Sequence, residues 1–273
     1  PDDARVKYQG IITRWMEEHK VPYDKLIFGK PLGTYYVDDK AITPDDFVSL
    51  EIEQLKGGLS GADVFRSGNV VHKTADNTLD VAKWYNISKS SILKTPKIYK
   101  VVSQTISMEY IHHNTDLDLD IITNQLRSNS NYYHHDIPDF FTYVNRIRNK
   151  GLDEKYANQL EMYSDFYNGN KSFCHGDASI DNILCNDKTI YYIDPIYLPN
   201  IYSSWLLDIA KVLTSLMRYD RVKDYTIISE KYKNIETELK ALEMSHWIRM
   251  YDYHPSKEYV MAQIERTYEF IKN

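Results

Sequence analysis

Asp177, Asn182 and Asp194 are residues whose types and spacing could do chemistry together. They lie in Ser172 to Pro195, which reads S-F-C-H-G-D-A-S-I-D-N-I-L-C-N-D-K-T-I-Y-Y-I-D-P. Ile183 to Cys185 and Ile190 to Ile193 read as short apolar strands, and Asn186-Asp187-Lys188 between them is turn chemistry. Paired antiparallel, the strands bring Asn182 and Asp194 side by side at the open end of a hairpin. Neighbouring strands sit roughly 5 Å apart, so an amide oxygen and a carboxylate there can share one hard, oxygen-seeking cation such as Mg2+. Asp177, just upstream of Asn182, would overlook the same ion. Such an arrangement suits phosphoryl transfer.

These residues resemble the catalytic loop and metal-binding segment of the aminoglycoside phosphotransferase and choline kinase group, relatives of the protein kinases. His175-Gly176-Asp177 followed by Asn182 matches the H-x-D-x-x-x-x-N pattern. The resemblance implies a catalytic role for His175 and Asp177, with Asp177 as the base that accepts the substrate hydroxyl proton and Asn182 as a Mg2+ ligand. It sets Asp194 where kinases carry the D-F-G aspartate. Here the motif is Ile-Asp-Pro, a departure from protein kinases that is common in the small-molecule branch.

A nucleotide-binding lobe should precede this segment. Leu50 to Lys56, Ala62 to Arg66 and Val70 to Lys73 read as three strands, joined by Gly57-Gly58-Leu59-Ser60-Gly61 and by the turn Ser67-Gly68-Asn69. Gly57, Gly58, Ser60 and Gly61 form a candidate phosphate-covering loop, because glycine lets backbone N–H groups approach phosphates without Cβ obstruction. The resemblance implies that Lys73, closing the third strand, contacts the α- and β-phosphates; an exposed strand-end lysine is the alternative. Asn77 to Ser88 reads as the next helix and lacks the glutamate expected to hold that lysine. Asp80 is the nearest acid, with Asp76 as a possible helix cap. Lys97 to Val102 and Thr105 to Tyr110 alternate as strands, and Ser107-Met108-Glu109-Tyr110-Ile111 resembles a hinge that hydrogen-bonds an adenine through its backbone, with Glu109 and Ile111 as candidate contacts, or is plain core strand.

Beyond the hinge the pattern turns helical. Ile137 to Lys150 carries Phe140, Phe141, Val144 and Ile147 at helical spacing and stops at Gly151. Asp153 to Tyr167 begins a second helix, and Ser203 to Tyr219 forms a third with an apolar side. Asp208 within that third helix either braces the catalytic loop, as the resemblance implies, or faces solvent.

Before Leu50 the sequence changes character. Arg5 to Lys20 reads as an amphipathic helix, followed by the segments Leu26 to Pro31 and Tyr35 to Lys40. Together they resemble the C-terminal part of a haloacid-dehalogenase-superfamily phosphatase associated with capsule biosynthesis. The resemblance implies that Lys30 is a charge-stabilising lysine and that Asp38 and Asp39 form an acidic metal-binding pair. No D-x-D nucleophile segment precedes Lys30. Asp116-Leu117-Asp118 has the letters, but follows the other motifs and reads as the charged start of a helix. The expectation is a native polypeptide that extends upstream of Pro1, with no phosphatase activity from this chain itself.

The chain has 273 residues, 42% hydrophobic, with a net charge of −6 and two cysteines, Cys174 and Cys185. It is long enough for a real core. No apolar run approaches the roughly 20 residues that cross a bilayer, no signal peptide is seen, and no long basic run points to nucleic acid. The cysteines suit free thiols in a reducing, cytoplasmic compartment. His112-His113 and His134-His135 lack metal-ligand spacing and read as surface histidines.

The expected architecture is α+β: a bilobal protein-kinase-like fold with a small antiparallel β N-lobe at 49–111 and a mostly helical C-lobe at 112–273, after a haloacid-dehalogenase-like α/β segment at 1–48. The expected activity is ATP- and Mg2+-dependent transfer of the γ-phosphate to a hydroxyl of a small molecule. The capsule-type segment suggests a sugar, polyol or amino alcohol as acceptor. A nucleotide-binding pseudokinase scaffold and a phosphatase within a larger fused chain are the alternatives.

Overall fold

The computed structural model describes residues 2–22, 52–55, 61–113, 117–132 and 137–273. The chain divides into two compact units, Pro1–Leu50 and Glu51–Asn273. In the first, helix α1 spans Asp2–Glu18, and Ile11 and Trp15 on it are exposed. Lys30, Asp38 and Asp39 lie outside the described residues, as do Gly57, Gly58, Ser60, His134 and His135.

The second unit opens with an antiparallel sheet of five strands: β1 (Ile52–Gln54), β2 (Asp63–Ser67), β3 (Val70–Thr74), β4 (Ile98–Val102) and β5 (Thr105–Glu109), in spatial order β1-β2-β3-β5-β4. Val64 pairs with Lys73 and Lys73 with Ile106, so the lysine occupies the central strand. Gly68, at φ 57°, makes the tight β2–β3 turn that sets this register. Helix α2 (Thr78–Ser88) follows β3 and buries Val81, Trp84 and Tyr85.

The remaining residues form a helical lobe: α3 (Leu119–Ser128), α4 (Phe140–Arg148), α5 (Glu154–Glu161), α6 (Ser164–Asn168), α7 (Trp205–Arg218), α8 (Val222–Lys231), α9 (Glu236–Met250) and α10 (Lys257–Lys272). Between α6 and α7 lies the hairpin β6 (Ile183–Asn186) and β7 (Thr189–Tyr192). Asp187 and Lys188, its two loop residues, both have positive φ, the backbone of a tight hairpin turn. Helix α7 is buried along nearly its whole length. Leu206, Leu213 and Leu216 are sealed from solvent, and each such side chain contributes about 2 kcal/mol through burial. Its start is fixed twice over. The Ser204 hydroxyl accepts the Leu206 N–H at 3.2 Å, and the Ser172 hydroxyl accepts the Trp205 N–H at 2.8 Å, tying the helix to the extended segment that leads to His175.

Two details differ from the sequence pattern and a third agrees with it. The helix expected from Asp153 to Tyr167 is two helices, interrupted at Met162-Tyr163. Phe141, placed with the apolar side of its helix, is 52% exposed, with the Arg148 guanidinium over its ring. Asp118 caps α3, its carboxylate accepting the Ile121 N–H at 3.0 Å, which is the helix start expected of it. Both cysteines are buried free thiols, and no described helix is long and apolar enough to cross a membrane.

Candidate active site

The segment His175 to Asn182 is a tight loop held from below. Gly176 has φ 80°, and a Cβ there would overlap the Ile196 carbonyl oxygen, so the position demands glycine. Asp208, completely buried on α7, accepts the His175 N–H at 2.7 Å and the Gly176 N–H at 2.8 Å. It is therefore a brace and not a solvent-facing carboxylate. Burial pushes its carboxyl up to about 7, against the two N–H groups that favour the charged form.

His175 is fully buried, and both its ring nitrogens are used within the protein. Nε2 donates to the Ile193 carbonyl at 2.9 Å, and Nδ1 accepts the Asp177 N–H at 3.3 Å. Burial holds the imidazole down at about 4, so the ring is neutral, in the tautomer those two contacts require. The ring thus ties the loop to Ile193, which follows β7 and precedes Asp194. The Ile193 N–H also donates to the Asn182 carbonyl at 3.0 Å, which sets Asp194 one residue beyond the paired end of the hairpin.

Four of the sequence-marked side chains meet at that end, in two pairs. The Asn182 amide N–H group donates to the Asp177 carbonyl at 2.9 Å and to its carboxylate at 3.1 Å. Asp194 forms an ion pair with Lys73, reaching across from the sheet. Lys73 is 7% exposed, so it is a buried lysine aimed into the site instead of a strand-end surface lysine. The helix acids do not hold it: Asp80 pairs with Lys83 on the surface, and Asp76 accepts from Gln104. Asp76 caps nothing; Asn77 holds the cap position of α2.

In the place of an acidic partner, α2 contributes aromatic rings. The Trp84 indole N–H donates to the Cys174 carbonyl at 2.8 Å, and the ring stands edge-on to His175 with centroids 5.3 Å apart. Tyr85, fully enclosed, has its hydroxyl raised by burial and by the charge of Asp194. Helix α2 is thus keyed to Cys174 and His175 through ring packing and one indole hydrogen bond.

Asp177 faces a second cation. Lys211, one turn after Asp208 on α7, pairs with it at 2.8 Å while a quarter of the aspartate side chain remains exposed. Burial alone would raise the carboxyl, but Lys211 and the buried Arg249 of α9 outweigh it and hold it at about 2. Asp177 is fully ionised at neutral pH.

The donor set fits a hard divalent cation. Asn182 spends its N–H group on Asp177, so its amide oxygen remains an acceptor, and Asp194 adds a carboxylate next to Ile193, whose N–H bonds the Asn182 carbonyl. No group of three or more His, Cys, Asp or Glu that could hold a metal occurs among the described residues. An ion at this pair would need oxygens from a bound phosphate and from water to complete its shell.

Of the candidate hinge residues, Glu109 ends β5 and Ile111 lies two residues beyond it. Glu109 donates its N–H to Lys97 at 2.8 Å, and its carboxylate accepts the Lys97 N–H at 3.1 Å, so its side chain secures the sheet edge. Ile111 is buried, with its carbonyl accepting from His113 at 3.1 Å. Gly61, with φ 71°, is the described end of the glycine loop. Lys211, Arg249, Trp84 and Tyr85 escaped the sequence reading. Of these, only Lys211 left a signal: a lysine three residues after Asp208 in an otherwise apolar helix.

The sequence matches no protein-family model and no curated protein. The fold is a different matter. The chain superposes on an aminoglycoside phosphotransferase, APH(4)-Ia, in ternary complex with ADP and hygromycin B, at TM-score 0.59 and 11% identity, covering 82% of this chain and 96% of that one. It matches a Plasmodium vivax ethanolamine kinase at TM-score 0.54 and 11% identity, covering 84% of each chain. A choline/ethanolamine kinase family protein from Mesorhizobium loti gives 0.51 at 12% identity over 81% of this chain and 86% of its own. The protein has the kinase-like fold of these small-molecule phosphotransferases, a small antiparallel sheet joined to a helical lobe.

Proposed function

We propose that this protein is an ATP-dependent, Mg2+-requiring phosphotransferase that moves the γ-phosphate to a hydroxyl of a small molecule. The observation that carries this reading is the convergence of Lys73, Asp194, Asn182 and Asp177 between sheet and hairpin, held by Lys73–Asp194 pairing from one side and Asn182–Asp177 bonding from the other. Lys73 neutralises phosphate charge, Gly57, Gly58, Ser60 and Gly61 cover the phosphates with backbone N–H groups, and Glu109 and Ile111 offer backbone groups to the adenine. Asn182 and Asp194 would hold Mg2+, which supplies charge neutralisation for the phosphates. Asp177 orients the acceptor hydroxyl. A carboxylate held at about 2 is a weak base, so it takes the proton only as the forming P–O bond makes the hydroxyl acidic. His175 positions the loop and does not touch substrate.

The acceptor we assign is a sugar, polyol or amino alcohol, in the cytoplasm, for a cell-surface polymer such as capsule; the resemblance of Lys30, Asp38 and Asp39 to a capsule-type phosphatase segment supports that assignment. A nucleotide-binding scaffold is the second reading, favoured by an α2 whose acid Asp80 pairs with Lys83 instead of Lys73. Incubation with Mg2+-ATP and a panel of hydroxylated acceptors, scored by phosphorylated product, tests both. Transfer to one member supports the kinase; tight nucleotide binding with no transfer to any member supports the scaffold.

A further inference from the structure

Helix α7 meets the catalytic loop along one side. Asp208, Lys211, Ser215 and Arg218 follow one another at intervals of three, four and three residues, the spacing that lines side chains up along a helix. The loop groups they hold come in the same order. Asp208 takes the His175 and Gly176 N–H groups, Lys211 the Asp177 carboxylate, Ser215 the Ile180 N–H and Arg218 the Asp181 carboxylate. The first two brace the loop backbone and pair Asp177. The last two reach the part of the loop that carries the candidate metal ligand Asn182.

Ile180–Asn182 is a single 3-10 turn, closed by the Asn182 N–H donating to the Ser179 carbonyl at 2.9 Å. Such a turn has poor hydrogen-bond geometry of its own, so its position is set from outside. Ser215 is buried. Its hydroxyl donates to the Val212 carbonyl at 2.8 Å, which leaves its oxygen to accept the Ile180 N–H at 3.1 Å. Asp181 is gripped twice on one oxygen: Oδ2 accepts from the Arg218 guanidinium at 2.5 Å and from the Tyr219 hydroxyl at 2.5 Å. The guanidinium also lies over the Tyr219 ring, with its carbon 4.5 Å from the centroid.

The Asp181 side chain is 47% exposed, and an ion pair so open to water adds little stability. What two donors on one oxygen do fix is direction. Together with Ser215 they tie both residues before Asn182 to the last turns of α7.

We infer that Ser215 and Arg218, helped by Tyr219, are positioning residues for Asn182, holding the turn that presents its amide oxygen to Mg2+. The inference rests on the metal site proposed above and extends it to residues that touch neither metal nor substrate. Mg2+ demands near-ideal octahedral geometry at roughly 2.0–2.1 Å. With only Asn182 and Asp194 supplied by the chain, a small displacement of the turn weakens metal capture before it disturbs anything else. Residues standing behind a metal ligand typically change metal affinity by roughly 10- to 100-fold when removed.

The test needs no acceptor: a fluorescent ADP analogue is bound to the full chain and titrated with Mg2+. Ser215→Ala and Arg218→Gln should each bind the analogue without metal as the parent does, yet require on the order of 10-fold more Mg2+ for half of the tightening that the metal brings. Arg218→Lys should recover part of the Arg218 effect. Adding Asp181→Asn to Arg218→Gln should cost little more than either change alone, because both remove the same contact. Amide hydrogen exchange without nucleotide or metal should be faster at Ile180 and Asn182 in Ser215→Ala and in Arg218→Gln. Melting curves show that the variants fold, and Arg218, at the end of its helix, carries the test alone should Ser215→Ala unfold.

An Mg2+ midpoint that stays at the parent's value in the folded variants overturns the inference. So does weaker binding of the metal-free analogue, which marks a general disturbance of the site, and so does unchanged exchange at both amides. A parent whose analogue binding ignores Mg2+ defeats the metal site itself and the inference with it, a failure seen in the parent before any variant is made.

Discussion

Lys211 forms its 2.8 Å ion pair with Asp177 from the helix turn directly after Asp208, so one helix both braces the loop backbone and sets the charge state of the loop's carboxylate. The pairing keeps Asp177 ionised at about 2 despite its burial. Lys211→Met should remove the larger of the two opposing charges and let burial raise the carboxyl. The sign follows: activity requires the ionised form, so the acid limb of the pH–rate profile moves to higher pH. Turnover near neutrality should fall on the order of 10-fold, as the acceptor hydroxyl loses a fixed partner. An acid limb that stays in place shows that Lys211 does not control Asp177.

Asp194→Asn removes the anion that Lys73 pairs with and a charged ligand for Mg2+, while creating no cavity. Mg2+-dependent transfer should be abolished, with the melting temperature within a few degrees of the parent. Titration of Mg2+ at fixed ATP is the measurement, and unchanged turnover at limiting Mg2+ removes Asp194 from the metal site.

The hairpin and the strands of the sheet were legible in the sequence because alternation, glycine turns and the Asn182 to Asp194 interval are local signals. Lys73 could be placed on its strand, but its partner could not: the Asp194 that meets it is far along the chain, and only the closing of sheet on hairpin brings the two together. Trp84 shows the same limit. Its spacing marks a buried helix face, yet nothing local tells that the indole N–H finds the Cys174 carbonyl. Phe141 misled for the opposite reason, since hydrophobicity assigned it to the core while helical phase turned it outward. The cations that hold Asp177 ionised, Lys211 and Arg249, come from two helices, and no interval in the sequence links them.

Gly176→Ala should disable the loop. The φ of 80° costs an L-residue about 1 kcal/mol or more, and the added methyl overlaps the backbone oxygen of Ile196, which cannot swing away as a side chain would. Moving Ile196 breaks its N–H bond to the His175 carbonyl at 3.1 Å. The expected outcome is a loss of at least 2 to 3 kcal/mol in urea unfolding, roughly the strain plus one buried hydrogen bond, and turnover reduced by more than the stability loss explains. Full activity in the alanine variant means that the loop tolerates another backbone path.

Asp208 gives a pH signature that separates bracing from ordinary burial. Its carboxyl titrates near 3.8 when unfolded and about 7 in the fold. Between those values the folded chain holds a proton that the unfolded chain has released, so this group makes stability fall as pH rises, by up to about 1.4 kcal/mol per pH unit. Asp208→Asn cannot titrate. Its amide oxygen can accept one of the His175 and Gly176 N–H groups but sets an NH2 against the other, so turnover should drop through displacement of the loop. The stability difference between variant and parent should shift in the variant's favour from about pH 4 to about pH 7 and stay level outside that window. Urea unfolding of both proteins across the range measures it. Parallel curves mean that Asp208 does not carry a raised carboxyl, and an undiminished turnover means that its two backbone bonds do not hold the catalytic loop.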